Sequence, residues 1–348
     1  SNGISLLFYQ SPNKFTLSMI YISWIIYINV LSLISGVNKM NADYFSIKGK
    51  DGAFFGYMPH HVEDPEYIIV ISPGLAEHAA RYNRLSSFLK NHNVQLYCID
   101  HIGQGIYATN LGVWPVNGFE ICVNNMKSLI DYAHENHKNK KIVLFGHSMG
   151  SFMSLSYIEQ FASNIDACIL SGTNDQQHPL VLKGGKFIAM LQELFIGRNK
   201  NSKILNSLSF GQFNKQFAPN RTEFDWLSRD EKEVDKYIQD PLCGYVPSVG
   251  LFKELFKALS TIYKDEMVIK IPKDLPIHLM SGANDPVGGN SKGPLSLLAR
   301  LEKSKVSNIT VQIFDDMRHE CLNEIGNDVV MKHVHDTCKN LLSLTDNT

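Results

Sequence analysis

A serine lies between two glycines in residues 146–150, which read Gly-His-Ser-Met-Gly. The preceding run 141–145 is strand-like, and apolar residues recur at every third position from Phe152 to Phe161, as in a helix. A serine held at a strained strand-to-helix turn projects its hydroxyl, and flanking glycines leave room for that backbone. The pattern predicts that Ser148 is a nucleophile exposed to a substrate carbonyl, although the pentapeptide alone would also fit an ordinary turn.

A serine that accepts an acyl group needs a base to take its proton and a carboxylate to orient that base. Asp285 and His319 follow it in the chain order Ser, Asp, His, each in a loop after a strand-like run. Because loops at strand ends converge on one site, we predict that the three residues form a catalytic triad. Taken singly, the aspartate also fits a turn or helix cap, and the histidine a surface loop. Asp315 and Asp316 are rival carboxylates, but each would have to fold back to the far nitrogen of the histidine.

Charge that develops on a substrate oxygen needs two amide donors, which form an oxyanion hole. The amide of Met149, directly after the serine, is the first candidate. The second is the amide of Leu75, in the tight turn 73–75 that follows the apolar run 67–72. We predict both as oxyanion donors.

Strand-like and helix-like runs alternate along most of the chain. The first two strand-like runs flank a Lys-Gly-Lys-Asp-Gly turn and predict a hairpin, and amphipathic segments separate most of the others. This alternation predicts an α/β fold with a mostly parallel central sheet covered by helices on both faces. The strand-like runs are 44–47, 53–58, 67–72, 95–100, 141–145, 167–172, 277–282 and 310–315.

Residues 173–275 interrupt the alternation with short helical patterns and no convincing buried strand. We interpret this block as a helical cap over the carboxyl ends of the strands, with 41–172 and 276–348 as the core. The cap carries two dense apolar clusters, at 187–196 and 251–259, from which Phe195 and Phe256 are predicted to contact substrate. Alternatively, both clusters only seal the cap onto the core.

The first forty residues do not fit this domain. Residues 15–34 contain no charged side chain and are long enough to cross a bilayer as a helix. Three interpretations remain open: a membrane anchor, a cleaved signal peptide, or sequence upstream of a start at Met40. The predicted location is therefore cytoplasmic or membrane-associated.

Composition narrows the functional class. The 348 residues include 33 basic and 34 acidic ones, a formal charge of -1, so no general attraction to nucleic acid is expected. The six cysteines form no CxxC pair, which favours a reducing compartment, and no Cys/His cluster has zinc-site spacing. We predict no metal site, no cofactor and no nucleic-acid partner.

Five ordered motifs resemble the monoglyceride lipase and lysophospholipase branch of the α/β-hydrolases, often labelled serine aminopeptidase S33-like. The resemblance implies Ser148, Asp285 and His319 as the triad, Leu75 and Met149 as oxyanion donors, and a small-molecule lipid ester as substrate. Pro73 and Gln104 depart from the family pattern, in which histidines are usual. The motifs are residues 71–82, 100–105, 146–150, 281–286 and 318–324, and the cap run 224–230 resembles bacterial members.

The expected activity is hydrolysis of monoacyl lipid esters through an acyl-enzyme, with possible contact to a membrane surface through the cap or the N-terminal segment. An esterase, thioesterase or acyltransferase for another acyl donor would use the same triad. A non-catalytic binding protein on the same fold would usually have lost one of the three residues. Dehalogenases and epoxide hydrolases carry an aspartate at the position of Ser148, so these two enzyme classes are disfavoured.

Overall fold

An eight-stranded sheet runs through residues 43–344, the part of the chain that the computed structural model describes. Six strands, β3 to β8, pair in parallel, whereas β1 and β2 form the predicted hairpin and β2 pairs antiparallel with β4. The strands are β1 Tyr44–Gly49, β2 Gly52–Tyr57, β3 Tyr67–Ser72, β4 Val94–Asp100, β5 Ile142–His147, β6 Ala167–Ser171, β7 Ile277–Gly282 and β8 Ile309–Phe314. The predicted α/β-hydrolase architecture with a mostly parallel sheet is confirmed.

The strand order is β1-β2-β4-β3-β5-β6-β7-β8. The chain adds β4 on one side of β3 and then adds β5 on the opposite side of β3, so the order reverses at β3. Ligands in open α/β sheets bind where the order reverses in this way, beyond the carboxyl ends of the strands. Ser72, the last residue of β3, lies opposite Gly146 of β5. The loops that follow these two strands are therefore neighbours.

Helices cover both faces of the sheet because the central strands are apolar on both sides. Ile68 and Val70 pack toward helices 118–136, 149–161 and 292–303 on one face, and Ile69 and Ile71 pack toward helices 83–91 and 327–341 on the other. Each such side chain contributes about 1.5–3 kcal/mol when buried. The covering helices are α1 Asn83–Asn91, α2 Gly118–Asn136, α3 Met149–Phe161, α9 Lys292–Lys303 and α10 Asn327–Leu341.

Between β6 and β7 the chain forms helices and no named strand, as the sequence predicted for the cap. These are α4 Pro179–Ile196, α5 Lys203–Phe210, α6 Glu231–Gln239, α7 Val249–Leu259 and the short α8 Asp265–Val268. Local chemistry fixes where they begin: the side chains of Ser202, Asp230 and Ser248 accept amide hydrogen bonds at the starts of α5, α6 and α7. Pro179 is the first residue of α4 and has no amide proton to satisfy.

The apolar segment 15–34 lies outside the described residues. Within 43–344, no helix combines the length and the apolar character that a membrane crossing requires. All six cysteines are buried and have free thiols.

One buried carboxyl group in α3 lacks the partners that such groups normally have. Glu159 is 4% exposed, and neither of its carboxylate oxygens has a hydrogen-bond partner among the described residues. Burial raises the pKa of Glu159 to about 9, although the charge of Lys270 acts in the opposite direction. The side chain is therefore protonated in the folded protein at neutral pH.

Glu159→Gln should stabilise the protein at neutral and alkaline pH. The unfolded glutamate ionises near pH 4.5 and the folded one only near pH 9, so the free energy of unfolding falls as pH rises between these values. Glutamine resembles the protonated acid, and the gain should be on the order of 2 kcal/mol at pH 7. Urea unfolding at pH 5 and pH 8 measures it.

The control is Glu135→Gln, which changes an exposed glutamate of α2. A difference between Glu159→Gln and the parent that does not grow with pH would contradict this account of the buried carboxyl.

Candidate active site

Ser148 is the single residue that connects the end of β5 to the start of α3. Its backbone has φ 52° and ψ −120°, a conformation that non-glycine residues rarely adopt. A Cβ at Gly150 would come within 2.0 Å of the Ser72 carbonyl oxygen, and one at Gly146 within 2.5 Å of the Gly150 carbonyl oxygen. The two glycines are therefore required by close packing of backbone against backbone, and Ser148 itself is partly exposed.

His319 and Asp285 lie together at the ends of β8 and β7. Nδ1 of His319 is 2.9 Å and 3.0 Å from the two carboxylate oxygens of Asp285. The carboxylate also accepts hydrogen bonds from the Val287 amide at 2.9 Å and from the Ser281 hydroxyl at 3.3 Å. Asp285 is fully buried and His319 is 2% exposed, so both side chains are held in one orientation.

The electrostatics favour a histidine that accepts protons. Burial lowers the pKa of His319, but the charge and hydrogen bond of Asp285 outweigh it, and the pKa is raised overall. The charges of Glu320 and Glu77 add to this effect. Because Nδ1 faces Asp285, Nε2 is the nitrogen left for a serine or a substrate.

The rival carboxylates lie elsewhere. Asp315 and Asp316 are exposed residues that follow β8 directly, and Asp316 has a positive φ of 60°. The ion pair of His319 is with Asp285. The geometry thus brings together the aspartate and the histidine that the chain order predicts.

A cavity of about 1040 Å³ opens in front of Ser148 and His319 and extends under the cap. Leu75 and Met149 also border it, whereas Asp285, behind the histidine, does not. Its apolar side chains come from the core and from three cap helices, and include Phe152, Leu182, Ile188, Leu205, Phe252, Leu255, Phe256 and Leu259. A drug-sized or larger apolar molecule fits a cavity of this volume.

The two predicted oxyanion donors come from the adjacent loops after β3 and β5. Met149 is the first residue of α3, a position whose amide has no acceptor within the helix. The loop that carries Leu75 is fastened from two sides. Glu77 accepts a hydrogen bond from the Gly74 amide, and the Gln104 side chain donates to the carbonyl oxygens of Gly74 at 2.6 Å and Glu77 at 3.2 Å.

Gln104 therefore has a clear structural role where the family pattern has histidine. It ties the loop after β4 to the loop after β3 that carries Leu75, called here the oxyanion loop. The oxyanion loop is therefore supported despite this departure.

The two cap phenylalanines behave differently. Phe256 borders the cavity, and its ring stacks with the ring of Phe252 at a centroid distance of 5.9 Å. Phe195 is 78% exposed on the outside of α4 and is not among the residues that border the cavity. Phe195 is predicted to contact substrate, but it does not line this cavity, because the helix turns that side chain to its outer surface.

Two aromatic residues beside His319 were missed as site residues. The centroid of the Trp226 ring lies 5.1 Å from that of the His319 ring, and Trp226 borders the cavity. The centroid of the His147 ring lies 4.8 Å from that of the His319 ring. Burial lowers the pKa of His147 to about 4, so this second histidine is neutral near pH 7. Trp226 lies in the cap run 224–230, which stands out in the sequence. Only the fold shows that this run contacts the loop that carries His319.

A second group of potential ligand residues lies beside the oxyanion loop. His78, Asp240 and Cys243 have donor atoms within 4.8 Å of one another. Nε2 of His78 is 2.8 Å from the Asp240 carboxylate, and burial raises the pKa of the Cys243 thiol. The contact between His78 and Asp240 therefore accounts for both of these side chains, and the thiol of Cys243 remains protonated at neutral pH.

Comparison with known proteins agrees with this architecture. The monoglyceride lipase of Rattus norvegicus is 26% identical over 275 residues, which cover 76% of this chain and 80% of the relative. The monoacylglycerol lipase of Mycolicibacterium smegmatis is 23% identical over 282 residues, covering 78% of this chain and 87% of the relative. The crystal structure of a thermostable carboxyl esterase from Bacillus coagulans superposes with a TM-score of 0.79 at 20% identity, covering 86% of this chain and 98% of the esterase.

The model of the family described as serine aminopeptidase, S33, matches residues 63–326, which span the oxyanion loop, the serine turn, the cap and the histidine loop. The match covers well over half of the chain, and all the motifs that suggested the resemblance lie within it. The chain belongs to the serine aminopeptidase S33 family and has the α/β-hydrolase fold.

Proposed function

We propose that the protein is a serine hydrolase that cleaves carboxylic esters of monoacyl lipids, such as monoacylglycerols or lysophospholipids. The observation that carries this proposal is the position of Ser148 and of the Asp285-paired His319 on one large, mostly apolar cavity. Relatives named monoglyceride lipase or monoacylglycerol lipase support the same substrate class.

In the proposed reaction, the Ser148 oxygen attacks the ester carbonyl carbon while Nε2 of His319 takes the serine proton. The carbonyl oxygen becomes negative and is stabilised by the amides of Leu75 and Met149. The C–O bond to the alcohol then breaks, and His319 returns the proton to the leaving oxygen. Water, activated by the same histidine, hydrolyses the acyl-enzyme and releases the fatty acid.

The shape of the cavity favours a lipid monoester over a small ester. Phe252, Leu255 and Phe256 of α7 and Ile188 of α4 line the same cavity as Ser148 with apolar side chains. A long acyl chain would bury its methylenes against them, each with up to about 0.8 kcal/mol of stabilisation. An esterase, thioesterase or acyltransferase for a smaller donor is the alternative that this volume disfavours.

The outer surface of α4 provides a site for contact with a lipid surface. Between residues 187 and 196 of this helix, five large apolar side chains are more than one-third exposed, an unusual concentration for a protein surface. They are Phe187, Met190, Leu194, Phe195 and Ile196, with Leu194 and Phe195 exposed by 77% and 78%. We propose that this surface meets a micelle or bilayer, and that Phe195 acts there rather than in the cavity.

Replacing the serine tests the nucleophile. Ser148→Ala should lower the rate of p-nitrophenyl ester hydrolysis on the order of 10^4-fold or more, because the acyl-enzyme cannot form. It should also abolish labelling by a fluorophosphonate probe and leave thermal unfolding close to that of the parent. The matched control is Ser156→Ala, a serine of α3 whose hydroxyl contacts Gln160 and which does not border the cavity. Retention of more than about a tenth of the activity by Ser148→Ala would reject the assignment.

Replacing the carboxylate tests the orientation of the base. Asp285→Asn should keep the fold and lose activity on the order of 10^4-fold, because asparagine favours the wrong tautomer of His319. The controls Asp315→Asn and Asp316→Asn change exposed carboxylates and should stay near the parental rate. A large loss in either control, with little loss in Asp285→Asn, would show that the orienting acid has been misidentified.

Chain-length dependence tests the substrate class. For soluble monoacyl esters, kcat/KM should rise from about C4 to about C12, because each further methylene is buried in the cavity. Phe256→Asp should flatten this rise more than it lowers the rate with C4. Phe195→Asp should keep the rise but lower turnover of monoacylglycerol embedded in vesicles. A parent enzyme that prefers acetate esters and gains nothing from longer chains would leave a small-ester hydrolase.

A further inference from the structure

Arg81 lies between the two loops that carry the proposed oxyanion donor and the catalytic histidine. Its guanidinium donates to both carboxylate oxygens of Glu320 at 2.7 Å, and Nη1 also donates to Glu77 at 2.9 Å. Glu77 belongs to the loop after β3, and Glu320 directly follows His319. The side chains of Arg81, Glu77 and Glu320 are only 11%, 5% and 7% exposed.

Each carboxylate in turn holds backbone near the reacting groups. Glu77 accepts hydrogen bonds from the Gly74 amide and from the Tyr82 hydroxyl, which fixes the chain just before Leu75. Glu320 also accepts from the Asn323 side chain at 3.0 Å, and its amide donates to the Leu227 carbonyl oxygen of the cap at 2.8 Å. Arg81 therefore joins two backbone segments that would otherwise be independent loops.

Arg81 supplies the positive charge of this group and pairs with both negative carboxylates. Burial acts to raise the pKa of Glu320, but the charge and hydrogen bonds of Arg81 outweigh it and lower the pKa to about 2. The guanidinium also lies 4.9 Å from the centre of the Tyr237 ring in cap helix α6. Without the arginine, the two buried carboxylates would lose their cationic partner, which is strongly unfavourable.

We propose that Arg81 is a positioning residue for ester hydrolysis, which holds the oxyanion loop and the His319 loop in one fixed relation. This proposal rests on the proposed function and adds a requirement for geometry in addition to charge. A planar guanidinium forms two parallel bonds to a carboxylate, whereas a lysine ammonium is a point charge that cannot. Arg81→Lys should therefore keep the positive charge and lose the fixed relation between the loops.

The test compares Arg81→Lys with the parent and with the matched control Arg84→Lys. Arg84 lies three residues further on and pairs with Glu233 rather than with either loop. On p-nitrophenyl butyrate, Arg81→Lys should lower kcat by about 10- to 100-fold and change KM by less than about threefold, because small misplacements of reacting groups cost rate. Arg84→Lys should match the parent in both constants, and circular dichroism should show all three proteins folded.

The pH profile separates geometry from charge. The charged or titratable groups around His319 are Asp285, Glu320, Glu77 and His147. Glu320→Gln removes a negative charge that raises the pKa of His319, so the acid limb of kcat/KM should move to lower pH. Arg81→Lys should leave that limb in place while kcat falls. If Arg81→Lys does not fold, Glu320→Gln tests the positioning role instead. This change also removes the pair of charged hydrogen bonds between the Arg81 guanidinium and the Glu320 carboxylate, and it should lower kcat.

Some results would overturn the positioning role while leaving the proposed function intact. These are a folded Arg81→Lys with parental kcat, a loss shared equally by Arg84→Lys, or a rise in KM at constant kcat. A parent that neither hydrolyses the ester nor is labelled at Ser148 would instead reject the proposed function itself.

Discussion

The strained backbone of Ser148 is the constraint on which the rest of the site depends. A non-glycine residue in such a conformation costs about 1–3 kcal/mol and persists only where the surrounding structure enforces it. Here β5 supplies the residue before the serine, α3 begins with the residue after it, and Gly150 packs directly against the carbonyl oxygen of Ser72 in β3. The same close approach brings the loop of Leu75 beside the turn, so the strain and the placement of the two proposed oxyanion donors have one structural origin.

The buried charges of Arg81, Glu77, Glu320 and Asp285 beside the turn are paired, whereas the buried carboxyl group of Glu159 in α3 is uncharged. His319 pairs with Asp285, and Arg81 pairs with Glu77 and Glu320, within hydrogen-bonding distance. Glu159 has no hydrogen-bond partner among the described residues and remains protonated. Paired burial keeps side chains in one orientation, which is what a preorganised site requires.

Sequence patterns predicted the sheet and the convergence of Ser148, Asp285 and His319, because strand runs and the loops after them follow local rules. They did not predict which side of a cap helix faces inward. Ala189 is fully buried in α4, and Phe195, six residues later, lies about 240° further round the helix axis. An apolar run gives no reference direction for that angle, so the sequence could not show whether Phe195 faces the cavity or the outer surface. Pairs such as Arg81 with Glu320, which are 239 residues apart, depend on tertiary structure and have no local signal.

The central claim is that Ser148 bonds to the substrate while the Leu75 and Met149 amides hold the resulting oxyanion. A crystal structure of the protein inactivated by a long-chain alkyl phosphonate tests it most directly. The account predicts phosphorus bonded to the Ser148 oxygen, a phosphoryl oxygen about 2.7–3.1 Å from both amide nitrogens, and the alkyl chain along Phe256. Phosphorus on another residue, or a phosphoryl oxygen turned away from both amides, would contradict it.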